Sequence, residues 1–199
     1  QNESAQVIPN GVDLDRFSPT TRFVYRDTWQ LLTIARLTPQ KNHAIVMKAL
    51  RDLAGAWEWR LVGEGSERRS LDELRTTLGM APRIIFHGSQ GDVRPFFTKA
   101  DAFVFPSAWE GQGIAPLEAA ASGVPLILSD LPAFREIFDE ESALFVKHQT
   151  QEAWQEALEY ARDHVADMGK RARRASELVH AERSLEQMVQ RYIDLYEST

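Results

Sequence analysis

The sequence has no cysteine, no long apolar run and no excess of positive charge, and each absence removes a class of function. Without cysteine among its 199 residues it has no disulfides and no thiolate metal sites, as expected in a reducing compartment. No apolar stretch approaches the roughly 18 to 20 residues that span a bilayer, and no signal-peptide pattern opens the chain. The net charge of −6 argues against general nucleic-acid binding, which needs a positive field. What remains is a chain with 43% apolar residues, enough to build one large domain or two small ones. It opens on Gln1 and soon enters "VIPNGVDLDRF", which reads as the middle of a longer protein. The expectation is a fragment: a linker and turn region over 1–22, a main domain over 23–183, and a closing helix over 184–199.

Short apolar runs alternate with longer amphipathic ones. "LLTIA" (31–35), "WRLV" (59–62), "RIIFH" (83–87), "AFVFP" (102–106), "PLILS" (125–129) and "ALFV" (143–146) read as strands. Helices are predicted over 42–54 with Asn42 as N-cap, over 66–79 opened by Ser66, over 92–100 capped by Asp92, over 113–123 and over 132–138. From Thr150 onward the pattern is helical, with breaks predicted near Gly169 and His180. Strands buried on both faces carry continuous apolar runs, and alternation with helices makes them parallel. The reading is an α/β fold with a doubly wound six-stranded parallel sheet. In the order 3-2-1-4-5-6 the sheet reverses between its first and fourth strands, and ligands bind outside the carboxyl ends there.

Two loops therefore face one crevice. "RLTPQKN" carries Arg36 and Lys41 after the first strand. "SAWEGQG" follows the fourth and leads into a helix near Gly113. Two cations opposite a helix start, with its unpaired N–H groups, make a site for a diphosphate. Glu110 and Glu118, with seven residues between them, add carboxylates that accept hydrogen bonds from vicinal sugar hydroxyls. A dinucleotide-dependent oxidoreductase would need glycines directly after the first strand, where "ARLTPQKN" has none.

The stretches "IPNGVDLDRF" (8–17), "ARLTPQKN" (35–42), "LVGEG" (61–65), "FHG" (86–88), "ADAFVFPSAWEGQGIAPLEAAASGVPLILSD" (101–130) and "FREIF" (134–138) resemble the donor-binding half of retaining GT-B glycosyltransferases, the glycosyl transferases group 1 family. The resemblance implies a Rossmann-like nucleotide-sugar domain and a sugar transfer with retention. Arg36 and Lys41 match the diphosphate cations, and Glu118 matches the ribose-binding acid. Glu110, with the backbone N–H groups of Gln112, Gly113 and Ile114, matches the group that approaches the sugar and phosphates. Gly63 and Gly65 match glycines beside the nucleobase. Family members often carry an aromatic residue where this chain has Gln112, so an altered sugar preference is expected. The resemblance also implies a metal-independent reaction with a UDP-, GDP- or ADP-sugar donor and no other cofactor. It implies an acceptor glycan or glycolipid bound by a missing N-terminal domain, and a setting in lipopolysaccharide or surface polysaccharide synthesis. The expected place is the cytoplasm, at the inner face of the membrane, with peripheral membrane association. The fragment alone is expected to bind donor weakly, to transfer slowly or not at all, and to self-associate through an apolar stripe on the closing helix.

Each feature also has a plainer reading. Arg36 and Lys41 as surface charges, Glu118 as a solvent-facing residue and Trp109 as core all stay open. So do an epimerase of the same fold and a nucleotide-binding module without catalysis. "DLD" (13–15) resembles a metal-binding Asp-x-Asp but follows an Asn-Gly turn, which favours coincidence. "GKRARR" (169–174) reads as a solvated helix face. His87 is either a packed polar residue or part of the crevice, and Glu136 a loop-ordering group near it.

Overall fold

Six strands form the sheet of this computed structural model, which describes residues 7–19 and 27–197. They are β1 (Trp29–Ile34), β2 (Trp57–Val62), β3 (Ile84–Gly88), β4 (Ala102–Phe105), β5 (Leu126–Ser129) and β6 (Leu144–Val146). All are parallel, in the order β3-β2-β1-β4-β5-β6, as the pattern of apolar runs predicts. β4 and β5 are buried along their whole length, because helices cover both of their faces.

The pleat sends alternate side chains to two separate cores. Leu31, Trp59, Ala102, Val104 and Ile127 pack under α1 (His43–Arg51), α2 (Arg68–Thr77) and α6 (Gln151–Asp163). Leu32, Phe103, Phe105 and Leu126 pack on the other side, under α4 (Ile114–Ala121), the one-turn helices α3 (Arg94–Phe97) and α5 (Pro132–Arg135), and the C-terminal half of α7 (Val165–Glu182). Each fully buried large side chain contributes about 1.5–3 kcal/mol.

The junction of β1 with β4 is short, pairing only Leu31 with Ala102 and Leu32 with Phe103. Beyond it, the Trp59 indole N–H donates to the Thr33 hydroxyl, which donates to the Val104 carbonyl. This buried relay satisfies groups that the ladder leaves unpaired and holds the mouth of the reversal point.

Several local readings need correction. Asn42 occupies the start of α1 with φ 48 but its side chain caps nothing. The helix predicted over 92–100 is only the turn Arg94–Phe97, with the Asp92 carboxylate accepting from the Arg94 N–H. The tail breaks at His164 and at Arg183–Ser184, not near Gly169 and His180. Gly169 lies on the buried stripe of α7 with Met168 and Ala172, so packing keeps the helix continuous through it. The region before β1 is no free linker where it is described. Val12 pairs with the 183–185 stretch, donating to the Arg183 carbonyl at 2.8 Å and accepting from Leu185 N–H at 2.9 Å. From there α8 (Leu185–Glu197) runs with no buried residue and with Val189, Tyr192, Ile193 and Tyr196 exposed. Residues 1–6, 20–26 and 198–199, which include parts of the expected linker and closing helix, lie outside the described residues. Among the described residues no helix is long and apolar enough to cross a membrane.

Candidate functional site

The loops that follow β1 and β4 are laced together. Pro39–Lys41 forms one tight helical turn after β1. Its Gln40 carbonyl accepts from the Ala108 N–H at 2.8 Å, and the Gln40 side-chain amide donates to the Trp109 carbonyl at 2.8 Å. Lys41 and Glu110 form an ion pair, and the Ser107 hydroxyl donates to the same Glu110 oxygen at 2.7 Å. The ammonium lies 4.7 Å from the centroid of the Phe105 ring. The Lys41 and Glu110 side chains are only 12% and 6% exposed, so little solvent screens the pair. Sequence reasoning singled out both residues but not their pairing, and it missed Gln40 and Ser107.

Arg36 differs from Lys41. Its side chain is exposed and makes no hydrogen bond or ion pair with the described residues, while its carbonyl accepts from the Thr38 N–H. Its loop is fixed from behind by the turn after β2. Gly63 (φ 136) and Gly65 face the backbone of that loop, and added Cβ atoms would meet the Ala35 and Leu37 carbonyl oxygens at 2.0 and 2.3 Å. Leu37 N–H donates to the Glu64 carbonyl and Glu67 N–H to the Leu37 carbonyl. These two glycines thus have a packing role: they let two backbones meet beneath Arg36.

α4 starts at Gly113 (φ 44) with no side-chain cap and no acidic residue in its first turn. Its leading N–H groups have no intrahelical partner and carry partial positive charge. Glu118 is one turn further along, on the same side as Ile114. It is half-buried, and its carboxylate accepts no hydrogen bond from the described residues. Burial pushes the Glu118 carboxyl up, and the positive charge of Arg16 pulls it back. Arg16, from the "VDLDRF" stretch, was not singled out from the sequence. Its proximity to Glu118 depends on the segment before β1 folding onto the α4 face, for which there is no local signal.

The Gln112 side chain accepts a hydrogen bond from the Asn10 N–H at 2.8 Å. Trp109 is 61% exposed, which rules out the core reading. Asp13 accepts from the N–H groups of Asp15 and Arg16, so "DLD" closes a turn. In "GKRARR", Arg171 pairs with Asp167 and Arg174 with Glu177 along α7. His87 packs edge-on against Phe96, and burial lowers its pKa. Glu136 contributes its carbonyl, which accepts from Arg183. A separate cavity of about 440 Å³, lined by Asp101, Pro125 and Arg173 among others, opens at the amino ends of β4 and β5, away from these loops.

Among the described residues, the arrangement offers one cation without an ion-pair partner, one buried ion pair, a helix start without a side-chain cap and a carboxylate without a hydrogen-bond partner at the carboxyl ends of β1 and β4. Comparison with known proteins adds to this. The family model described as Glycosyl transferases group 1 matches residues 20–176. The chain is 32% identical over 173 residues to the lipopolysaccharide core biosynthesis glycosyltransferase LpsE of Rhizobium meliloti (strain 1021), covering 84% of this chain and 49% of that protein. It is 31% identical over 140 residues to an Escherichia coli UDP-Gal:alpha-D-GlcNAc-diphosphoundecaprenol alpha-1,3-galactosyltransferase, covering 63% and 36%. The chain thus spans about half or less of the length of these relatives. Among solved structures, Anabaena Alr3699/HepE in complex with UDP and glucose superposes with a TM-score of 0.89 at 19% identity, over 98% of this chain and 57% of that one. The sucrose-phosphate synthase (tll1590) from Thermosynechococcus elongatus gives 0.87 at 25% identity, over 98% and 53%. The fold is the Rossmann-like half of a GT-B glycosyltransferase.

Proposed function

Because the chain belongs to the glycosyl transferases group 1 family, we propose that it is the donor-binding domain of a retaining glycosyltransferase that takes its sugar from a nucleoside diphosphate. One observation carries this reading. The laced loops bring Arg36 and the uncapped start of α4 to the reversal point, and one turn into α4 the Glu118 carboxylate has no hydrogen-bond partner among the described residues.

In this proposal the diphosphate lies between Arg36, Lys41 and the N–H groups at Gln112, Gly113 and Ile114. Glu118 accepts from the ribose hydroxyls, Glu110 faces the sugar end, and the turn at Gly63 and Gly65 borders the base. As the glycosidic bond breaks, negative charge grows on the leaving nucleoside diphosphate. Preorganised donors aimed at that charge stabilise the transition state without needing to reorganise. Arg36 supplies an unshared positive charge. Lys41 begins paired with Glu110, so its share grows only as the diphosphate competes with that carboxylate. The acceptor, a glycan or glycolipid, arrives on the leaving group's face from a part of the protein outside this chain. Protein cations do the neutralising, so the proposed chemistry is metal-independent. The name of LpsE supports a place in lipopolysaccharide or related surface polysaccharide synthesis, and the inner face of the membrane is the place we propose for it.

A thermal-shift panel of UDP, GDP, ADP and CMP tests the reading. A nucleotide at about 100 times its Kd stabilises by about 2.7 kcal/mol, or about 5–10 °C at this size. The expected result is a response to one nucleoside diphosphate that largely disappears in Arg36→Ala and in Glu118→Ala. No response, or equal responses in wild type and both variants, contradicts the site.

A further inference from the structure

The stretch Gly111-Gln112-Gly113 leads into α4, and its flanking glycines have the widest backbone freedom of any residue. Its N–H groups are useful to an anion only when they are held in one orientation. Ile114 is 49% exposed, and the first buried side chains of α4 are Pro116 and Leu117. The only side chain in the Gly-Gln-Gly stretch able to fix it is Gln112. The carbonyl oxygen of that side chain accepts from the Asn10 N–H at 2.8 Å.

Asn10 belongs to a clasp. Val12 and the Arg183–Leu185 stretch exchange two backbone hydrogen bonds, and the Gly11 N–H donates to the Met188 sulfur at 3.3 Å. A Cβ on Gly11 would meet the Ser184 carbonyl oxygen at 2.3 Å, so the two segments are in backbone contact. Arg183 is held in turn by the Glu136 carbonyl, at the end of α5. Pro9, Gln112, Leu117, Ile137 and Arg183 close around a small cavity of about 10 Å³ between the clasp and α4.

We propose that Gln112 is a positioning residue that ties the clasp of residues 10–12 and 183–188 to the entrance of α4, so that order in one depends on order in the other. Its consequence for nucleotide binding rests on the donor-site reading above; the tether itself does not. Coupling of this kind is reciprocal. Holding the clasp prepares the N–H groups at Gln112, Gly113 and Ile114, and a diphosphate on those groups steadies the clasp.

The test is amide exchange at Asn10 by NMR together with titration of UDP, GDP and ADP. Gln112→Met keeps the length of the side chain and removes the carbonyl acceptor. Gln112→Glu keeps an acceptor oxygen at the same reach. Without nucleotide, the Asn10 amide is expected to exchange about 5-fold faster in Gln112→Met and at the wild-type rate in Gln112→Glu. The nucleoside diphosphate that binds wild type is expected to bind Gln112→Met about 3- to 10-fold more weakly, the range for one hydrogen bond, and to slow Asn10 exchange in wild type only. Equal Asn10 exchange in wild type and Gln112→Met overturns the tether, and unchanged nucleotide affinity in Gln112→Met overturns the coupling. If none of the three nucleotides binds wild type, the donor-site reading and the coupling fall together. The nucleotide-free comparison then decides the tether alone.

Discussion

Removing Lys41 is expected to damage the fold, whereas removing Arg36 damages only binding. The Lys41 and Glu110 side chains are 12% and 6% exposed, and the ammonium lies against the Phe105 ring. In Lys41→Met the Glu110 carboxylate keeps, among the described residues, the Ser107 hydroxyl at 2.7 Å alone. Stranding one member of such a pair costs about 3–5 kcal/mol. For a chain of 199 residues this lowers Tm by roughly 6–20 °C. Glu110→Gln removes the opposite charge, and the double variant strands neither. A urea-unfolding cycle of wild type, both single variants and the double variant measures the coupling, expected at about 2–3 kcal/mol. The coupling is expected to weaken little in 1 M salt, because a buried pair is poorly screened. Arg36→Ala removes an exposed side chain with no ion-pair or hydrogen-bond partner among the described residues and is expected to stay within about 0.5 kcal/mol of wild type. Single-variant losses that add within about 0.5 kcal/mol would refute the reasoning.

Two further predictions test the ground beneath the site. His43 is 2% exposed, and burial, with a smaller contribution from the Lys41 charge, lowers its pKa from 6.5 to about 4. The unfolded chain therefore takes up a proton below pH 6.5 that the folded chain refuses until about pH 4. This stability is fully present above pH 6.5 and is lost as the pH falls towards 4, up to about 3 kcal/mol. Urea unfolding at pH 7.5 and pH 5 is expected to show a drop that shrinks in His43→Leu; parallel behaviour of the two proteins would contradict it. Gly63→Ala places a Cβ 2.0 Å from the Ala35 carbonyl oxygen, whereas Gly91→Ala meets nothing within 4 Å. The first is expected to cost about 3 kcal/mol or more and the second about 0.5 kcal/mol or less by urea midpoint.

The sheet order was legible because a strand covered on both faces must be apolar along its length, as "AFVFP" and "PLILS" are. Arg36, Lys41, Glu110 and Glu118 could be placed at one crevice because the reversal rule links the ends of β1 and β4 without reference to side chains. What escaped was contact between distant residues. Lys41 meets Glu110 across 69 positions and Asn10 meets Gln112 across 102, and no local periodicity records either. Gly63 and Gly65 also have a steric role against the Ala35–Leu37 backbone, which no local pattern in the sequence records. The break at His164 was missed because Gly169, a weak helix former, is held helical by packing on the buried side of α7.

The central claim is that a nucleoside diphosphate sits at the reversal of the sheet, between Arg36 and the start of α4. Amide chemical-shift mapping of the 15N-labelled chain during titration with UDP, GDP and ADP locates any bound nucleotide directly. The account predicts saturable shifts concentrated at Arg36, Gly113, Ile114 and Glu118. Saturable shifts concentrated instead at Asp101, Gly123 and Ala172, around the cavity at the amino ends of β4 and β5, would contradict it.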